Sequence, residues 1–296
     1  MLNLLVDYAI PGCLFLLMLI VGTEMTASDL THVFRNGRAV IAGSAGQLAL
    51  LPLVALLVQA AIRPSAPVAV GILLLSLCPN GGISNYYCYL ARCNVFLSAA
   101  ITAVGTFVSL LTIPFWLLIL PALPGSMAVL PHVPVKAVLV QLVMLMVLPM
   151  LSGALLRRAF PKTLQATARE LRWLSICIVA IILTLVVATV FDELSKLAGE
   201  IAISALAFIA LAMLLGWLLG YGLSQRDRPV LVIESAVRNV GVALIMGRAI
   251  LTPEAFGIFG SFLSGYFIVE IAIMVAYARF QAGTIQRTQM TPPLAS

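Results

Sequence analysis

CPNGGISNYYCYLARCNVFLSAAITAVGT, from Cys78 to Thr106, is the stretch that decides how this chain is read. It is apolar enough for membrane depth. Yet it opens on Pro79-Asn80-Gly81-Gly82, carries Ser84 and Asn85 side by side, and is cut again at Arg92-Cys93-Asn94. Proline withdraws a backbone donor and glycine relaxes φ, so no regular helix is expected to run through it. Beyond the second cut, Ser98, Thr102 and Thr106 recur every four residues, which sets their hydroxyls on one helix face. A second stretch, PVLVIESAVRNVGVALIMG from Pro229 to Gly247, places Glu234, Arg238 and Asn239 inside another apolar run. In lipid, an interrupted helix is tolerated only where its freed backbone groups meet protein, water, an ion or a substrate. Two such segments, one in each half of a chain, point to the binding site of a secondary transporter.

Composition sets the same frame. The chain has 296 residues, of which 62% are hydrophobic and 9% charged, and its mean hydropathy is +1.13. Soluble domains carry about 25% charged residues, so an all-α polytopic membrane protein is expected. The net charge of +6 is dispersed over loop ends rather than gathered on one face, which argues against nucleic acid. Five cysteines form no CxxC, and His32 and His132 are far apart, so neither a disulfide framework nor a metal centre of His and Cys is expected. No HExxH, GxSxG or paired-Asp motif appears, and the chain reads as a non-enzyme.

Ten apolar blocks can be marked: 4–21, 39–61, 67–77, 84–106, 109–123, 135–156, 173–191, 201–223, 229–251 and 255–280. Ten spans place both termini on one side. The basic loop from Arg157 to Arg172 and the basic tail make that side cytoplasmic, with the chain in the inner (plasma) membrane. The blocks divide into two five-helix repeats, 1–128 and 129–281, followed by a short disordered cytoplasmic tail, 282–296. Because five is odd, the second repeat is inverted relative to the first, and the discontinuous helices fall at the fourth and ninth places.

Among the polar residues at membrane depth, Glu234 leads. Burying a carboxylate in a helix centre costs about 2.5–3.5 kcal/mol unless a cation pairs with it. It is either the partner of Arg238 one turn on, or a ligand for an alkali cation, with Ser84, Asn85, Ser98 and Thr102 supplying further oxygens. Arg238 either neutralises Glu234, binds an anionic substrate, or stands where a second cation would sit. Asn94 and Asn239 either cap half-helices or contact substrate. Half-helix N-termini starting there carry partial positive charge suited to a carboxylate. Gln47 is either interhelical glue or a ligand. Glu270 is expected to pair with Arg248 or Arg92, and Asn80, Tyr86, Tyr87 and Tyr89 either line a cavity mouth or, the favoured reading, are ordinary interfacial residues.

At these residues the chain resembles the bile acid:sodium symporter family. CPNGGISNYYCYLARCNVFLSAAIT is similar to that family's CPGG-x-x-SN…YLA-R-x-NV-x-LS-x-x-x-T signature, and ESAVRN-x-G resembles its E-x-x-x-Q-N-x-G. The resemblance implies ten helices in an inverted repeat, with a panel from the first, second, sixth and seventh and a core built on crossing broken helices. It implies sodium-coupled symport of an organic anion, bile acid-like or a small carboxylate such as pantoate. A proton-coupled or sodium-independent carrier of the same fold is the alternative. The family's first Na⁺ site maps onto Ser84, Asn85, Ser98, Thr102 and Glu234. Its second maps onto Gln47 and, where the family has Gln, Arg238; the expectation is that Arg238 replaces that sodium. Asn94, Arg238, Asn239 and Gly241 are the expected substrate contacts.

Overall fold

Long apolar runs bounded by Pro and Gly leave the backbone little choice but helix. The computed structural model describes residues 2–24, 37–119 and 135–290, with no strand among the described residues. The helices are α1 (Leu2–Glu24), α2 (Gly37–Ile62), α3 (Ala66–Leu77), α4 (Ile83–Leu90), α5 (Val95–Ile119) and α6 (Val135–Ala159). They continue as α7 (Pro161–Ala166), α8 (Ala168–Leu219), α9 (Arg228–Ala236), α10 (Val240–Ile250) and α11 (Pro253–Met290). Six stretches among the described residues are long and apolar enough to cross a membrane: α2, α5, α6, 195–219 of α8, 228–250 and 254–287 of α11.

The apolar blocks do not map one to one onto these helices. Blocks 67–77, 84–106 and 109–123 become two elements. The first is the pair α3 and α4, parted at 78–82; the second is α5, which runs unbroken through 107 and 108. The reason lies at Arg92. This residue adopts a left-handed backbone (φ 57°) and its guanidinium reaches Gln286 at 3.3 Å, so the chain reverses there at a polar surface. The neighbouring Asn94 amide bonds Asp227 at 2.8 Å, and Arg228 lies 4.0 Å over the Trp217 ring. At the other end of α3, the Ser65 backbone N–H and hydroxyl both donate to Glu200, at 2.6 and 2.7 Å. Residues 65 and 200 thus mark one polar face, and 92–94, 227 and 286 another.

Two further expectations change. The separate blocks 173–191 and 201–223 lie in one 52-residue helix, because Asp192–Glu200 offers mainly good helix formers and a single glycine. The expected disordered tail is helical from 282 through Met290, where Ile285 is buried and proline first interrupts at 292. The 128/129 repeat boundary, His32 and His132 lie outside the described residues.

Packing follows small residues and prolines. A Cβ on Gly22 would sit 2.0 Å from the Met150 carbonyl oxygen, and one on Gly153 would sit 2.0 Å from that of Leu19. Only glycine permits so close an α1–α6 approach. In α2, Pro52 cannot donate to the carbonyl of Leu48, and the helix widens at 46–50. That carbonyl accepts instead from the Trp116 indole of α5 at 2.8 Å. On α8, Phe208 packs 6.2 Å from the Tyr266 ring of α11.

The two polar faces make a direct prediction. With the five native cysteines replaced, single cysteines at Ser65 and Gln286 should react with a membrane-impermeant maleimide from opposite sides of sealed vesicles. Labelling of both from one side would restore the ten-span division.

Candidate functional site

The gap between α3 and α4 and the gap between α9 and α10 occupy the same place. Pro79 and Gly81-Gly82 end helical geometry after Leu77. Val237 is extended at the end of α9 (φ −87°, ψ 119°), and Asn239 is extended before Val240. The groups freed by one gap bond those of the other. The Asn239 N–H donates to the Pro79 carbonyl at 2.9 Å, and Arg238 Nη1 donates to the Cys78 carbonyl at 3.1 Å. The Asn80 amide donates to the Glu234 carbonyl at 2.6 Å. Tyr266 closes the end of α9 by donating to the Ala236 carbonyl.

Glu234 lies at this junction and is fully buried. Its Oε1 accepts from Ser98; its Oε2 accepts from Asn80 and, at 3.1 Å, from Thr102. Ser98 Oγ also lies 2.8 Å from Asn85 Oδ1, and Ser84 Oγ lies 3.5 Å from Thr102 Oγ1. The structure therefore brings Ser84, Asn85, Ser98, Thr102 and Glu234 into one cluster. Its chemistry is oxygen-rich and proton-poor: the single hydroxyl proton of Ser98 faces two acceptors. Surplus lone pairs converging in a buried space suit a hard monovalent cation.

Arg238 does not make the side-chain bridge to Glu234 that the i,i+4 spacing allows. Both of its bonded amino groups go to backbone carbonyls, of Cys78 and of Glu234, and its Nε has no hydrogen-bond partner. The cause is the gap itself: Val237 leaves helical geometry, so residues 234 and 238 no longer share a helix face. Gln47 is completely buried on the widened turn of α2, with its amide atoms unpaired. Its Oε1 and the Asn80 Oδ1 face the same open side of Gly105, 3.6 and 3.8 Å from where a Cβ would stand.

Beside the cluster lies a cavity of about 430 Å³. Its walls are largely apolar, with Leu14 and Met18 of α1 and Phe267 and Ile271 of α11 among them; Arg238, Asn239, Gly241 and Asn85 line it too, and Glu24 adds a carboxylate. Gly241 admits Leu14, whose Cδ2 would be 2.2 Å from a Cβ there. Asn239 caps α10 by accepting from the Val242 N–H at 3.1 Å. Of the four expected substrate contacts, Asn94 is the exception. It caps α5 through the Leu97 N–H at 3.2 Å, is tied to Asp227, and does not line this cavity. Its charged and turn-forming neighbours belong to a polar surface rather than to the gap between helices.

Sequence reasoning set Asn80 near a cavity mouth but missed its role: it stands where the quoted signature has its first glycine, and it holds Glu234 by both backbone and side chain. The departure from glycine was the available signal. It also missed α1 as a cavity wall; nothing in an unbroken apolar run distinguishes it. Glu270 meets neither Arg248 nor Arg92. Arg92 bonds Gln286, and Arg248 lies 5.7 Å over the Phe256 ring.

Comparison with known proteins gives a consistent picture. The description of the Sodium Bile acid symporter family matches residues 11–198. An uncharacterized sodium-dependent transporter of Bacillus subtilis (strain 168) is 25% identical over 246 residues, covering 78% of this chain and 71% of that protein. The hepatic sodium/bile acid cotransporter of Homo sapiens is 23% identical over 286 residues, covering 90% of this chain and 79% of its own. A probable chloroplastic sodium/metabolite cotransporter of Oryza sativa subsp. japonica is 27% identical over 211 residues, or 71% of this chain and 48% of the relative.

Removal of the Asn80 amide tests the junction. Asn80→Ala leaves a buried carbonyl and carboxylate each short of a donor, at a cost of about 1–3 kcal/mol. Thermal melting in detergent should fall accordingly, and Asn80→Asp, which sets a second carboxylate beside Glu234, should fall further. Unchanged melting in both would show that the Asn80 bonds carry no weight.

Proposed function

The chain belongs to the Sodium Bile acid symporter family, a family of sodium-dependent transporters rather than enzymes, and we propose that it couples Na⁺ to the inward movement of an organic anion. The observation that carries this reading is the oxygen cluster around Glu234, with hydroxyls and an amide oxygen from α4 and α5 converging on a carboxylate from α9. Na⁺ is cargo here: Ser84, Asn85, Ser98, Thr102 and Glu234 are the proposed ligands.

The anion occupies the adjoining cavity. Its apolar walls fit a hydrocarbon body, and Arg238 with the positive end of α10 fits a carboxylate. Bile acid-like steroids and smaller carboxylates such as pantoate both have this chemistry. Asn239 and Gly241 flank the charged end. Arg238, whose Nη2 bonds the Glu234 carbonyl, takes the place of a second sodium, with Gln47 a remnant of that site.

Alternating access follows from an inverted arrangement of two halves, 1–128 and 129–281, whose interrupted segments run oppositely and cross at 78–82 and 237–239. One unit, α1 with α6 and the first part of α8, rocks against the rest, and the cavity lies between them. A helix of 52 residues is about 78 Å long, well beyond a hydrocarbon core of about 30 Å. In a bilayer α8 therefore turns at the charged segment Asp192–Glu200. The faces marked by residues 65 and 92 then carry unequal charge. On this reading Arg92, Arg157, Arg158, Lys162, Arg169, Arg226 and Arg228 belong to one, and Arg63, Lys136 and Lys196 to the other. The first is the cytoplasmic face of a plasma membrane. On this reading Leu2 and Met290 lie on opposite sides of the membrane.

Uptake into proteoliposomes tests the coupling, with cholate and pantoate as first probes. It should require Na⁺, and Glu234→Gln should abolish it. Uptake that survives replacement of Na⁺ but is lost with a protonophore would favour proton coupling instead.

A fixed Arg238 also sets the electrical outcome. One Na⁺ per monoanion moves no net charge, whereas each net charge crossing about 100 mV contributes about 2.3 kcal/mol, or roughly 40-fold in accumulation. Uptake by the native chain should be insensitive to membrane potential, and Arg238→Gln should add a second Na⁺ dependence and a substrate-evoked inward current. A current in the native chain would count against the replacement.

A further inference from the structure

Glu270 is the one carboxylate of the buried junction that the proposed transport function leaves unused. It is fully buried on α11, and neither of its oxygens has a hydrogen-bond partner. It sits in the turn between Phe267 and Ile271, both of which line the cavity. From α4 the Tyr87 hydroxyl faces it without closing to hydrogen-bond length, and that hydroxyl is likewise unpartnered. Arg238 is its charged neighbour across the gap. Tyr266, on the same helix, spends its hydroxyl on the Ala236 carbonyl. Cys78 stands beyond Arg238. Of the other elements at the cavity, α1 brings Glu24 and the turn of α8 between Ser175 and Ala180 brings the exposed Cys177; α3 and 201–219 of α8 contain no titratable residue, and in α10 the only one, Arg248, lies over Phe256.

Charge balance assigns a task to such a group. Among the described residues, three acidic or basic side chains are buried around the junction: Glu234, Arg238 and Glu270. Glu234 accepts from three donors and Arg238 donates to two carbonyls, so their opposite charges are solvated by the fold and cancel. Glu270 has no such support, and an unpaired charge is costly in a site of low dielectric. A proton removes that charge. When Na⁺ joins Glu234, the balance tips to one surplus positive charge, and loss of the proton from Glu270 restores it beside Arg238.

We propose that Glu270, faced by Tyr87, is a proton-binding site whose occupancy opposes that of Na⁺ at Glu234, so that Na⁺ entering without an anion displaces a proton. The step balances: one monovalent cation binds, one O–H bond of the Glu270 carboxyl breaks, and the proton leaves to solvent. An anion arriving at Arg238 supplies the same negative charge, and the proton is then retained. This rests on the sodium reading of the Glu234 cluster.

The test uses the purified full chain in detergent, without organic anion, with NaCl titrated against choline chloride at constant ionic strength. A pH indicator in weak buffer should record about one proton released per Na⁺ bound. Apparent Na⁺ affinity, followed by tryptophan fluorescence, should weaken toward acid pH by up to about tenfold per pH unit. Glu270→Gln should bind Na⁺ with no proton release and no pH dependence. Sodium binding by the native chain with neither signature would overturn the proposal and leave the sodium site standing. Proton release that persists in Glu270→Gln would overturn it by assigning the proton to another group. No Na⁺ binding at any pH would remove the sodium reading and this proposal together. Should Glu270→Gln not fold, Tyr87→Phe keeps the carboxylate and deletes the hydroxyl that faces it. The pH of half-effect should then shift, and an unmoved midpoint would overturn the assignment.

Discussion

A backbone amide or carbonyl left bare in hydrocarbon costs several kcal/mol, and this constraint governs the molecule. The chain breaks helix twice at depth, and each break would be intolerable alone. Together they satisfy one another: Asn239 N–H on the Pro79 carbonyl, Arg238 on the Cys78 carbonyl, and Asn80 on the Glu234 carbonyl. The junction is thus a reciprocal settlement of hydrogen bonds. The surrounding helices hold it in register, through glycine contacts such as Gly216 against the Leu231 carbonyl.

Once the backbone is satisfied, the side chains are free to face inward with their own polar atoms. Glu234, Ser98 and Thr102 are buried together at that junction, with the half-buried Asn85 beside them. The same geometry aims Arg238 and the start of α10 at an apolar cavity. The proposed ion and anion sites are consecutive turns of one interrupted segment, so coupling between them would need no long pathway.

Much of this could be read from residues alone. The Pro-Gly breaker at 79–82, the polar cluster at 234–239 and the four-residue spacing of Ser98 and Thr102 each carry local physics, and each appears where that physics puts it. What could not be read was which interruption lies at depth. Pro79–Gly82 and Arg92–Asn94 are equally good helix breakers. Only the pairing of Asn94 with Asp227 and of Arg92 with Gln286 shows that the second turns at a surface. The span count, and with it the side on which each end lies, hangs on that distinction. The helix that continues through Asp192–Glu200, where a bilayer would make the chain turn, and the helix beyond Ala282 were not legible for a related reason. Charge suggests a loop, yet Leu, Lys, Glu and Ala extend a helix as readily as they leave one.

The junction also has a consequence for biogenesis. Its partners are separated by 154 and 160 residues of sequence, so the first break is made long before the segment that completes it exists. At translation rates of about 5–20 residues per second, the nascent chain waits roughly ten to thirty seconds with the carbonyls of Cys78 and Pro79 uncovered. During that interval α3 and α4 cannot rest in the lipid core as a finished span. They must stay against the insertion machinery, or against α5 and α2, until the ninth and tenth helices arrive to take their place.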